Sequence, residues 1–300
     1  MPLYMLMMLV AGASYGFVSP LLRLSYAHGL SVQAMTDIQY VLAFVVLWII
    51  ALFRHKGASI RRSQWLLIVV IGICNAAVSY CYYRALTVLP ASLGIILLFQ
   101  FAWMTVVIDI IVKRRWPSLF KWIGLIVILI GTALAVGLKM SDWHHMPLWA
   151  VGLGLLSALA YALNLYLSEY NDPAVSPQVR SALVVTVATL LMFIPFPPGD
   201  MFHAMVTRPA AVFYWGGWVA FLSQILPTML ILISIPRIGG RMAGVLGTIE
   251  LPTAVFGAWV IDQEAIAWSR WSGVILILFG IVISELVRSR HRKATPRHPA

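Results

Sequence analysis

The stretch LGTIELPTAVF, residues 246–256, places one carboxyl, Glu250, in a run with nothing else ionisable between Arg241 and Asp262. A charged acid in apolar surroundings costs about 2.5–3.5 kcal/mol on membrane-insertion scales, so it must be neutral, paired or wet. Three chemistries fit. The acid can be a neutral carboxyl hydrogen-bonded to backbone freed by Pro252, which has no N–H to give. It can carry an exchangeable proton or oppose the charge of an amine. It can also pair with a basic residue, Arg241 or Arg84.

Other polar side chains interrupt apolar sequence at helical spacing. Asn75 and Ser79 are four residues apart and Tyr83 continues the same face, while Asn164 follows Tyr161 by three. Gln100 with Trp103, Gln224, and Tyr15 beside Ser14 complete the set. Each serves either as glue between helices, worth about 0.6 kcal/mol on average, or as lining of a cavity. Pro20, Pro227 and Pro252 mark helix breaks whose freed carbonyls need neighbours or water. No Ser/His/Asp or Cys/His set stands at a catalytic spacing, and no glycine-rich phosphate loop occurs, so no catalytic residue is assigned. Asp142, His144 and His145 read as a solvated loop rather than a metal site. Cys74 and Cys81 lie about 10 Å apart along a helix, beyond disulfide reach.

The elements that position these residues follow from composition. The 300-residue chain is 61% hydrophobic and 10% charged, with mean hydropathy +0.91, against about 45–50% and 25% in soluble domains. A membrane-crossing helix needs about 20 apolar residues. Ten runs qualify: 4–24, 34–53, 64–86, 90–112, 120–139, 147–168, 180–197, 211–235, 238–261 and 270–287. The first lacks the basic start and cleavage site of a signal peptide, and unbroken runs exclude a β-barrel. The fold class is an all-α integral membrane protein.

Most of the 21 Lys and Arg fall on one side of these runs, around 54–62, 113–121, 180, 237–241 and 288–297. By the positive-inside rule both termini are cytoplasmic. The net charge of +11 then meets anionic lipid of the inner leaflet rather than nucleic acid.

The chain also repeats. RMAGVLGTIELPT (241–253) aligns with ASLGIILLFQFAW (91–103) at an offset of 150, setting Glu250 over Gln100. WSGVILILFGIVI (271–283) aligns with WIGLIVILIGTAL (122–134). Five spans per half, an odd number, make the repeats inverted, the arrangement of many secondary transporters. The expected domains are residues 1–140 with helices 1–5, 146–287 with helices 6–10, and 288–300 as a basic, disordered cytoplasmic tail.

YCYYRALTVLPASLG (80–94), the paired WIGLIVILIG and WSGVILILFG, and IELPTAVFGAWVIDQEAIAWSRWSG (249–273) resemble the EamA-type transporters of the drug/metabolite transporter superfamily. Glu250 with Pro252 resembles that family's acid–proline signature, and Glu264 its acid after the ninth helix. The first half departs from the pattern, with Gln100 and Ala102 in those places. The resemblance implies a secondary transporter in the inner (plasma) membrane that exports a small organic metabolite, an amino acid or related compound, by alternating access. Protons are a candidate partner and no cofactor is implied. The alternative is a membrane-embedded enzyme or a flippase for a lipid-linked substrate.

Overall fold

In hydrocarbon, backbone N–H and C=O groups find no water, so long apolar runs must satisfy them internally as helices. A computed structural model describes residues 2–54, 60–89, 91–114, 116–136, 147–172, 174–261, 263 and 266–293, and no strand occurs among them. The helices are α1 (Pro2–Ala27), α2 (Val32–Arg54), α3 (Arg62–Leu86), α4 (Ala91–Phe99), α5 (Phe101–Lys113), α6 (Leu119–Val136) and α7 (Leu148–Leu167). Then come α8 (Pro177–Met192) and the short α9 (Gly199–Thr207). A long helix, α10 (Pro209–Ile238), leads to α11 (Gly240–Gly247), α12 (Glu250–Val260) and α13 (Trp268–Lys293).

Eight segments are long and apolar enough to cross a membrane, and two, Pro177–Met192 and Trp268–Ile283, are apolar but shorter. The expected 180–197 run stops early because the chain turns at Phe193 into Pro195 and Pro197. The structure carries α13 on to Lys293, into the stretch read as an unstructured tail. Its Arg and Lys residues are good helix formers.

Helix ends sort into two groups. At one, Gln64 donates to the Tyr170 carbonyl at 3.3 Å and Lys113 meets Glu169. At the other, Gln33 donates to the Pro197 carbonyl at 3.2 Å and Arg208 to that of His28. We call these the Arg241 end and the Asp200 end. The main core lies between α1, α7 and the interrupted pairs α4–α5 and α11–α12, around Met8, Phe99, Phe101, Tyr161 and Leu246.

The interruptions correct the expected breaks. Helix α1 continues through Pro20. The chain breaks instead at Gln100, between α4 and α5, and at Thr248–Ile249, between α11 and α12. There the hydrogen bonds tighten to i→i−3: Thr248 to Val245, Ile249 to Leu246 and Leu251 to Thr248. Pro252 falls in the first turn of α12, where its missing N–H costs nothing. Pro227 likewise follows an irregular segment. Two π turns, Val212–Gly216 and Phe221–Ile225, precede it within α10.

Helices α6 and α13 pack antiparallel through their shared glycine pattern. A Cβ on Gly131 would stand 2.9 Å from the Gly273 carbonyl, and one on Gly280 2.8 Å from the Gly124 carbonyl. Close backbone approach through small residues is how membrane helices associate without a hydrophobic drive. Gly273→Leu should therefore destabilise the fold by about 1–3 kcal/mol or more through overpacking, read as a lowered Tm in detergent. Gly152→Ala, with nothing within 4 Å, should leave the Tm unchanged.

Candidate functional site

Glu250 opens α12 at the second interruption and is half-buried. Among the described residues no donor or cation pairs with its carboxyl, and burial alone perturbs it. The freed backbone is satisfied without it. The Thr253 hydroxyl donates to the carbonyls of Ile249 at 3.1 Å and Glu250 at 2.9 Å. The reading in which the Glu250 carboxyl itself repairs the Pro252 break is thus not what the structure holds. Neither is an ion pair: Arg241 is bound to Asp109 at 2.7 Å, and Arg84 is exposed at the Asp200 end of α3.

Helix α1 presses its backbone against this break. A Cβ on Gly16 would come within 2.5 Å of the Glu250 carbonyl and 2.7 Å of the Ala254 nitrogen. Those rigid atoms leave room for glycine alone.

Phenols surround the acid. Tyr15, Tyr82 and Tyr161 are near enough to feel its charge. The Tyr15 and Tyr161 rings meet edge-on at 6.4 Å, and Phe101 packs on Tyr161 at 4.5 Å. Beside them Tyr15, Asn75, Asn164 and Thr228 line a cavity of about 10 Å³, with Ile71, Val184, Ile231 and Leu232 closing it. That is room for one water. Among the described residues, Thr228 Oγ1 of this lining lacks a hydrogen-bond partner, as do Tyr161 Oη and Gln224 Oε1 outside it. Buried polar groups are rarely left so, and the Thr228 hydroxyl on the cavity wall marks a place for a polar guest.

The remaining expected site residues divide. Asn164 joins the cavity and donates to the Ile71 carbonyl at 3.3 Å. Asn75 and Ser79 accept or share the Tyr40 hydroxyl at 3.1 and 2.8 Å. Tyr83 lies near Gln39 and Thr36, and Gln39 accepts from Ser223 at 3.0 Å. Gln100 and Trp103 do not open onto the cavity. The Gln100 amide donates to Ile96 at 2.9 Å and its oxygen accepts from the Trp103 indole at 2.7 Å. Equivalent places in the two halves thus hold a fully bonded amide and an unbonded acid.

Four charged residues were missed by the sequence reading. Asp109 is 2% exposed and holds Lys113 at 2.9 Å as well as Arg241. Glu169 grips Lys113 at 2.6 Å and accepts from the Gly240 amide at 3.0 Å. This cluster ties α5, α7 and α11 together at the Arg241 end. Arg180, expected among lipid headgroups, is buried and donates to the carbonyls of Asp172 at 3.0 Å and Leu232 at 3.1 Å. Asp37 is buried within α2. The D-x-x-x-K spacing of Asp109 and Lys113 was a legible pairing signal; Asp37 had none. Asp142, His144, His145 and Glu264 lie outside the described residues.

A family model described as the EamA-like transporter family matches residues 2–137. Residues 2–137 are thus similar to the EamA-like transporters. A solved structure titled "Crystal structure of protein" aligns with TM-score 0.73 and 16% identity, over 95% of this chain and 98% of that one. At that identity the likeness is one of fold. No curated protein matches the chain. That match and the apolar helices support a multi-pass membrane protein, and the half-buried Glu250 lies in the half of the chain beyond the matched residues.

Proposed function

We propose that this EamA-like protein exports a small organic solute bearing an amine, by alternating access about Glu250. The observation that carries this reading is an acid at an interrupted helix, near the phenols of Tyr15, Tyr82 and Tyr161, whose carboxyl pairs with no cation or donor among the described residues. Interrupted helices at the midplane are where transporters bind solutes. A phenol-rich site with one carboxylate suits a cation, through charge and through aromatic faces. Amino acids and related amines fit that chemistry, and export follows the family resemblance. The activity is transport, not catalysis, and a proton exchanged at Glu250 is the proposed coupling ion.

The proposed architecture is ten crossings in two inverted repeats. Three features support it. Repeat-equivalent α6 and α13 pack antiparallel, the two interruptions fall at equivalent positions, and the shorter α8 connects contacts at the Arg241 end to contacts at the Asp200 end. The Arg241 end then faces the cytoplasm with both termini, in the inner membrane.

The reading is tested with purified protein in liposomes. Counterflow of a labelled amine or amino acid should exceed that of organic acids and sugars of similar size. Equal flux of organic acids would overturn it. Orientation has its own test in a variant lacking Cys74 and Cys81. A cysteine at Leu119 should react with impermeant maleimide from the cytoplasm, and one at His203 from outside. The reverse pattern would invert the assignment.

A further inference from the structure

Asp37 stands on the second turn of α2, inside the apolar run that follows Val32. It is 0% exposed, and neither carboxyl oxygen meets a hydrogen-bond partner among the described residues. Its neighbours are all committed elsewhere. The Thr36 hydroxyl donates to the Val32 carbonyl, Gln39 accepts from Ser223, and Tyr40 bonds Asn75 and Ser79. The buried carboxyl alone is unspent on this stretch.

The charges around it do not compensate it. From α9, Asp200 is the charge that reaches it, and it has the same sign. On α8 the side chain facing this stretch is Thr189, whose hydroxyl bonds the Val185 and Tyr40 carbonyls. Two cations of the same end are engaged: the Arg208 guanidinium donates to the His28 carbonyl, and the His28 ring bonds the Leu24 carbonyl. An ionised carboxylate sealed without a partner is what proteins avoid by neutralising the group. A hard metal cation takes about six oxygen ligands, whereas a proton needs one.

We propose that Asp37 is a second proton-binding site, separate from the Glu250 cavity and serving the Asp200 end. While that end is closed the carboxyl holds its proton. When water enters, the O–H bond breaks heterolytically, the electron pair stays on Asp37, and the proton leaves to water past Asp200. Closure of the Asp200 end is thereby coupled to uptake of one proton. The proposal rests on the alternating-access reading, so its test includes a measurement that needs no transport.

That measurement is carbodiimide labelling of the wild-type protein in liposomes, mapped by mass spectrometry. Carbodiimides react with protonated carboxyls in apolar surroundings. The Asp37 peptide should label, and labelling should fall several-fold as external pH rises. Absence of labelling, or labelling indifferent to pH, overturns the proposal whatever the protein transports. In parallel, Asp37→Asn should keep counterflow of the amine while losing the dependence of flux on external pH. An Asp37→Asn protein with the wild-type pH profile overturns it as well. Replacing Na⁺ by N-methylglucamine should leave wild-type flux unchanged. A requirement for Na⁺ that Asp37→Asn abolishes would replace the proton by a metal cation and so refute the assignment.

Discussion

Glu250→Gln should abolish uphill movement of the amine while leaving exchange down its own gradient measurable. Glutamine keeps the shape of the side chain and its capacity for hydrogen bonds, and it removes the exchangeable proton. One pH unit is worth about 1.4 kcal/mol per proton, so a one-unit gradient drives about tenfold accumulation if one proton is exchanged per cycle. In the variant that factor should fall to about one. If the carboxylate opposes the substrate amine without exchanging a proton, accumulation and exchange should fall together, and neutral analogues should be spared. The two outcomes separate cleanly in one liposome assay with and without a pH gradient. Wild-type accumulation by the variant would remove Glu250 from the mechanism. The first half of the chain makes that last result unlike the expected one. Gln100, aligned with it at an offset of 150, has both ends of its amide bonded, to Ile96 and to Trp103, whereas nothing among the described residues is bonded to the Glu250 carboxyl.

Asp109→Asn should loosen the Arg241 end. The carboxylate holds Arg241 at 2.7 Å and Lys113 at 2.9 Å, with those two side chains 27% and 33% exposed. Lys113 keeps its second partner, Glu169, so the variant strands chiefly Arg241. Breaking a fully buried pair costs about 3–5 kcal/mol, and partial exposure of the guanidinium cuts that toward the smaller worth of surface pairs, about 1 kcal/mol. A shift of about 1.4 kcal/mol is tenfold in a two-state equilibrium. Hydrogen exchange at the amides of Gly240–Gly247 and the last turn of α5 should therefore quicken by about tenfold, with α6 and α13 unaffected. Adding Arg241→Gln should recover part of the loss, because it removes the stranded charge. Uniform acceleration across the whole protein would instead mean that Asp109 supports global stability.

Helix locations were legible because length and apolarity are local properties. The run 120–139 became α6 at Leu119–Val136, and 147–168 became α7 with its 3₁₀ extension to Tyr170. The positions of the interruptions were not legible from proline. Gln100 interrupts its helix with Ala102 where the aligned stretch has Pro252, so a break there does not need the ring. Proline position relative to a helix start is a tertiary fact, and in the sequence Pro252 and Pro20 look alike. The site was half legible. Tyr15, Asn75 and Asn164 do meet about one cavity, with Glu250 and Tyr161 outside its lining, since a polar residue in an apolar run has few other reasons to be there. Gln100 and Trp103 show the limit of that argument, because an amide and an indole three residues apart satisfy each other within one turn. Glu169 was missed because its partners, Lys113 and the Gly240 amide, lie 56 and 71 residues away in sequence; Asp109 had a local partner in Lys113, but its tie to Arg241 is a tertiary fact.

The two π turns of α10 set the phase of that helix. Each admits one residue beyond the α-helical count, and one residue corresponds to about 100° of rotation about the axis. Residues before Val212, those between Gly217 and Ala220, and those after Ile225 are thus offset from the faces that an uninterrupted helix would give them. Ser223 and Gln224 sit inside the second turn, so their directions are set by an inserted residue. Deleting one residue there would restore the α-helical count and swing everything on one side of the deletion around the axis by about that angle. The helix would keep its composition and its hydropathy, and lose the alignment of Gln224 with Thr228. For this segment the number of residues sets the direction of its polar side chains as much as their identity does.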